Sequence, residues 1–147
     1  MEEQLKLIES QLYKSEMTFP FLKERLMAHG EIKAWYRFYR GGNEWAQKFY
    51  KEETVFLMSD VLLWVRISED GQMGIHSFKL SEMTKCDRHY KFLNKKIKDK
   101  LVLSEVKLTL STLNEKEKQD FLLLKRPRPE ENGDPEGFET LVHLLNI

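Results

Sequence analysis

The chain has a single cysteine, Cys86, among its 147 residues. It can form no internal disulfide, and a lone thiol suits a reducing compartment. No apolar run approaches the roughly 20 residues that a membrane-crossing helix requires. The opening MEEQLKLIESQL lacks the basic start and continuous apolar block of a secretory signal, so a cytoplasmic protein is expected. Neither charge sign is in excess: 24 Lys and Arg balance 24 Asp and Glu. A dedicated nucleic-acid binder usually carries surplus positive charge against phosphate, so the balance counts against that class without excluding a local basic patch.

Catalytic and metal-binding signatures are also missing. Gly41–Gly42 has no Gly-x-Gly or Gly-Lys-Ser/Thr context and is a turn, not a phosphate loop. His29, His76, His89 and His143 are scattered, with no metal-ligand spacing. Cys86 and His89, three residues apart, would face opposite sides of a strand. The carboxylates of Glu52, Glu53, Asp87 and Asp99 are not spaced as an acid and base pair. No catalysis, no metal and no cofactor are expected.

What the chain does have is patterned hydrophobicity and abundant aromatics, 12% of residues, which favour a packed sheet over a helical bundle. Leu5, Ile8 and Leu12 form one stripe of a helix over residues 2–14. The stretch Ser15–Thr18 reads as a break. Pro20 then suits the first turn of a second helix, with Phe21, Leu22, Leu26 and Met27 repeating at helical spacing and Gly30 as its stop. Residues 31–40 fit a strand and a helix almost equally, and their aromatics and the turn at Gly41–Asn43 favour the strand. Beyond them, Thr54–Met58 and Val61–Ile67 are strands joined through Ser59–Asp60. Asp70–Gly71 turns the chain into Gly74–Leu80. Further strands are expected at Met83–Phe92, Leu101–Thr112 and Gln119–Lys125, the last two joined by the charged loop Asn114–Lys118. Pro127 and Pro129 end the ladder. Phe138, Leu141, Val142 and Leu145 make the apolar face of a terminal helix, Pro135–Asn146, started by Asp134.

This order, a helical start, about seven antiparallel strands and one closing helix, resembles the pleckstrin-homology-like (PH-like) superfamily. The wording of Val55–Val65 and Gly74–Met83 is similar to its bacterial members, with Phe78–Met83 as the segment that switches into the next strand and Phe138 and Leu141 as anchors of the closing helix. The resemblance covers roughly residues 31–147. It implies an α+β, mainly antiparallel β fold: a PH-like split barrel with a C-terminal closing helix, carrying residues 1–30 as an N-terminal two-helix extension. The closing helix lacks the tryptophan frequent in eukaryotic members. Lys33, Arg37 and Arg40 do not reproduce the spacing of inositide-binding members, so headgroup binding is not implied. A non-catalytic binding module is, and some relatives are thought to self-assemble.

Two surfaces stand out. One is the aromatic segment Trp35–Tyr50, where Trp35, Arg37, Tyr39, Arg40 and Trp45 would meet a protein partner or a second copy of the chain. The other lies at residues 85–100, where Lys85, Arg88, Lys91, Lys95, Lys96, Lys98 and Lys100 face only Asp87 and Asp99. It would meet an anionic lipid headgroup or nucleic acid, unless the lysines only guard an exposed sheet edge. Lys125, Arg126 and Arg128 form a smaller basic group.

Overall fold

The computed structural model describes residues 2–38, 52–111, 120–127 and 133–145. Two helices open the chain, α1 (Glu2–Gln11) and α2 (Ser15–His29). Four strands follow, β1 (Ala34–Phe38), β2 (Glu52–Leu57), β3 (Val61–Ile67) and β4 (Met73–Lys79), in one antiparallel sheet of that order. A single 3-10 turn, Leu80–Glu82, carries the chain into a second antiparallel sheet of β5 (Met83–Phe92), β6 (Leu101–Leu110) and β7 (Asp120–Lys125). Helix α3 (Pro135–Leu145) ends the described chain. The fold is α+β and mainly antiparallel β. The expected strand at 31–40 exists as β1. The loop at 114–118, Thr112, Pro129, Asn146 and the segment 41–50 lie outside the described residues.

Side-chain alternation divides the core in two. Ala34, Tyr36, Val55, Leu57, Leu62 and Trp64 point from the first sheet into a cluster shared with Val106, Leu108, Leu122 and Leu124 of the second, and with Phe138, Leu141, Val142 and Leu145 of α3. The other face of the first sheet is also apolar. There Phe56, Val61, Leu63, Val65 and Ile67 meet Leu5, Ile8, Leu12, Phe19, Leu22 and Leu26 of the N-terminal helices. Burial on both faces is why β2 and β3 read as near-continuous apolar runs instead of alternating ones.

Helix α2 differs from its expected form. It starts at Ser15, in the stretch read as a break, and Pro20 lies inside it. A proline there gives no backbone N–H to the Glu16 carbonyl and disfavours the helical conformation at Phe19. Burial outweighs that cost: Phe19, Leu22 and Leu26 are all in the core, whereas Phe21 and Met27, read as part of the apolar stripe, are exposed. The Thr18 hydroxyl, itself buried, donates to the carbonyls of Tyr13 and Lys14, each at 3.0 Å. Gly30 ends the helix at φ 87°, as its position after the last apolar repeat suggested.

Helix α3 is fixed at its start. Asp134 accepts a hydrogen bond from the Gly137 N–H at 2.8 Å, and its own N–H reaches the Arg37 carbonyl at the end of β1. Gly137 lies so close to β1 that a Cβ there would come within 2.9 Å of the Trp35 carbonyl oxygen. The helix therefore seats its buried face directly on the sheet edge, with the Phe138 ring against Tyr36, centroids 5.4 Å apart and edge-on.

Candidate functional site

The second sheet departs from plain pairing at two places, between Met83 and Lys85 and between His89 and Tyr90, and the second departure builds the site. Its register runs Cys86↔Leu108 and Arg88↔Val106, then His89↔Glu105, then Tyr90↔Leu103 and Phe92↔Leu101. Ser104 is the extra residue of a β-bulge. Its hydroxyl donates to the His89 carbonyl at 3.2 Å, and its carbonyl accepts from the Arg126 N–H at 2.8 Å. The bulge shifts the phase of β6 by one residue. Leu101 and Leu103 consequently share a face with Val106 and Leu108, and with Cys86, Arg88, Tyr90 and Phe92 of β5.

That apolar face runs past the part of the sheet that the core covers. Val106 and Leu108 are fully buried, but Tyr90 is 56% exposed, Phe92 42% and Leu101 58%. Between this ledge and α3 lies a groove of about 750 Å³, whose walls include Arg88, Tyr90, Leu93 and Lys100 from the hairpin and Glu139 and Val142 from the helix, so Leu93 and Lys100 stand where the groove opens toward the hairpin tip. The Arg126 guanidinium pairs with the Glu139 carboxylate at its side.

The tip of the hairpin is ordered by its own backbone. Leu93 N–H donates to the Lys100 carbonyl at 2.9 Å and closes the strand pair. Asn94 caps the following turn: its side-chain oxygen accepts from the N–H of Lys96 at 2.8 Å and of Ile97 at 3.3 Å. Lys98 N–H returns to the Asn94 carbonyl, and Lys98 takes a left-handed φ of 54°. Within this frame Leu93 and Ile97, four residues apart across the turn, are 61% and 64% exposed. Lys95, Lys96, Lys98 and Lys100 belong to the same short segment and are all exposed.

The seven basic residues at 85–100 thus do not form one surface. Lys95, Lys96, Lys98 and Lys100 come together at the tip. Lys91 lies on the face of β5 opposite Tyr90 and Phe92, and Lys85, on that same face, is roughly 20 Å back along the strand and paired with Asp87 at 3.6 Å. Arg88 lines the groove on the other face. Because β5 is an edge strand, Lys85 and Lys91 fit a role in guarding that edge. Edge protection does not account for aliphatic side chains at the tip, since an apolar tip invites association.

Of the aromatic surface expected around residues 35–45, only Trp35 and Arg37 fall among the described residues. Trp35 stacks on Phe56, centroids 5.8 Å apart, and packs with the N-terminal helical core. Arg37 donates to the Gln11 carbonyl at 2.7 Å. Both side chains therefore hold the helices on the sheet. Tyr39, Arg40 and Trp45 lie outside the described residues.

Cys86 is half-buried on the inner face of β5, and burial pushes its thiol above the ordinary range, which suppresses the nucleophilic thiolate. Elsewhere the polar interior is a structural ion pair: Glu53, buried, accepts from Arg66 at 2.7 Å and from the Trp64 indole N–H at 3.1 Å. Sequence reasoning passed over Leu93, Ile97 and Leu101. A signal was present, because these aliphatics recur every fourth residue through a lysine-dense turn. Compared with known proteins, the chain matches no family model, no curated sequence and no solved structure.

Proposed function

We propose that this protein is a non-catalytic, cytoplasmic binding module that docks on an anionic surface through its β5–β6 hairpin. The observation that carries the reading is the hydrogen-bonded tip, where four exposed lysines share one short turn with Leu93 and Ile97, both more than half exposed. A cluster of ammonium groups meets phosphate or carboxylate without a shaped pocket, and its attraction falls off within about 10 Å at moderate salt. The order of elements, two antiparallel sheets and a helix against their shared core, supports a PH-like scaffold. Trp35 and Arg37 are engaged with the first sheet and the N-terminal helices, so these two side chains add nothing to a partner surface.

The test is retention on an immobilised polyanion such as heparin at low and moderate salt, with Lys95→Glu/Lys96→Glu as the variant. Retention at low salt that is lost in the variant is expected. Wild-type protein that flows through at low salt would overturn the reading.

A second reading is favoured by the uncovered ledge of Tyr90, Phe92 and Leu101 beside the groove. There a protein segment, or a second copy of the chain, would lie between hairpin and α3. Binding of that kind buries apolar surface and would persist as salt rises, so the same salt series separates the two.

A further inference from the structure

We infer that the anionic surface is a phospholipid bilayer, with Leu93 and Ile97 entering its interface while Lys95, Lys96, Lys98 and Lys100 stay at the headgroups. This rests on the reading of the hairpin as an anion-docking element and adds what lies beyond the anions. The two kinds of side chain are presented together by one capped turn: Asn94 holds the N–H groups of Lys96 and Ile97, and Leu93 N–H closes on Lys100. A bilayer supplies partners for both within a few ångströms of depth, phosphate and carboxylate outside and acyl chain beneath. Lysine suits that boundary because its aliphatic stem can lie in the apolar layer while the ammonium remains hydrated.

A nucleic acid accounts for half of the tip. It offers phosphate to the lysines, yet it has no apolar phase for two aliphatic side chains, and bases stack on rings instead. The rings here, Tyr90 and Phe92, sit back on the strand facing the groove side of the sheet. A protein partner could cover Leu93 and Ile97, but it would have to place acidic groups around them to match four ammonium ions.

Two acyl-chain contacts alone hold a protein weakly, and lysines alone hold it only at low salt. Together they make the two-signal arrangement by which peripheral proteins bind. The hairpin has room to do so: its tip residues are all exposed and the apolar face behind them is not covered by α3.

The test uses the full chain with sedimented vesicles of phosphatidylcholine, with or without phosphatidylserine, and with heparin as an anion that has no apolar phase. Binding to the phosphatidylserine vesicles and not to pure phosphatidylcholine is expected. Leu93→Ser/Ile97→Ser should lower vesicle binding by about tenfold or more while leaving heparin retention unchanged. Lys95→Glu/Lys96→Glu should lower both, the vesicle binding by about a hundredfold. Ile97→Trp should gain quenching by brominated lipid over the wild-type tryptophan background. Unchanged vesicle binding of the serine variant, no added quenching in Ile97→Trp, or heparin retention without vesicle binding would each overturn the membrane assignment and leave the anion reading standing. Failure on vesicles and heparin alike would remove both. Circular dichroism of each variant separates lost binding from lost folding, and the exposed positions of Leu93 and Ile97 make unfolding an unexpected result.

Discussion

Glu52 is 4% exposed at the start of β2, and one of its carboxyl oxygens has no hydrogen bond. Burial raises its pKa from 4.5 to about 7, against the opposing pull of Arg37. The folded protein therefore keeps this proton at pH values where the unfolded chain has released it. The contribution to stability is full below about 4.5, falls as pH rises to about 7, and is flat above that. Glu52→Gln, which keeps the shape and loses the charge, should be the more stable protein at neutral pH. The gain over wild type should grow by on the order of 3 kcal/mol across that interval, read from urea unfolding at a series of pH values. A pH-independent difference would contradict the assignment. Gly137 gives a second prediction at this scale. The Trp35 carbonyl is backbone and cannot yield as a flexible side chain would, so Gly137→Ala should cost about 1–3 kcal/mol despite alanine's better helix propensity. Thermal unfolding of the single variant checks it, and a gain in stability would show that α3 can shift on β1 without penalty.

At the scale of elements, α2 shows tertiary burial overriding local preference. Pro20→Ala restores the missing N–H to the Glu16 carbonyl and should stabilise the protein by roughly 1–2 kcal/mol, less than the full cost of an interior proline because alanine also loosens the unfolded chain. Equal or lower stability of the variant would mean that the helix has already adapted to the proline. The same helix shows what sequence reading could recover. Leu22, Leu26 and Gly30 were legible because spacing and a stop residue agree. The start at Ser15 was not, since nothing local says that Phe19 will share a core with β2 and β3, more than thirty residues ahead. Strands β2 to β5 were legible through aromatic and β-branched runs bounded by turns, and Phe78–Met83, expected as a switch into the next strand, holds the 3-10 turn Leu80–Glu82 between β4 and β5. The bulge in β6 left a trace that went unread: Leu101 and Leu103 are out of step with Val106, Leu108 and Leu110. That slip of one residue is what puts the two leucines on the inner face. The tip was half legible, its lysines from composition alone. Its aliphatics needed the structure, because an exposed leucine and a core leucine look alike in a sequence.

Across the whole molecule, the N-terminal helices share a core with the sheet that follows them. Phe56, Leu63, Val65 and Ile67 would be laid open without α1 and α2, leaving an apolar sheet face with no cover. Removal of residues 2–30 is expected to yield an insoluble or molten chain, and soluble protein with sharp amide dispersion in its NMR spectrum would contradict that. Charge is also arranged at this scale. Residues 85–100 hold seven cationic side chains against two aspartates, a surplus of five, while the chain as a whole is neutral. The remainder must carry a deficit of five. The chain is therefore neutral in total yet locally positive along the β5–β6 hairpin. Near a negative wall a neutral chain with one positive segment is turned before it is pulled: the hairpin is drawn in while the molecule as a whole feels little net attraction. Arrival would be tip first, and the encounter rate would depend on orientation, not on total charge.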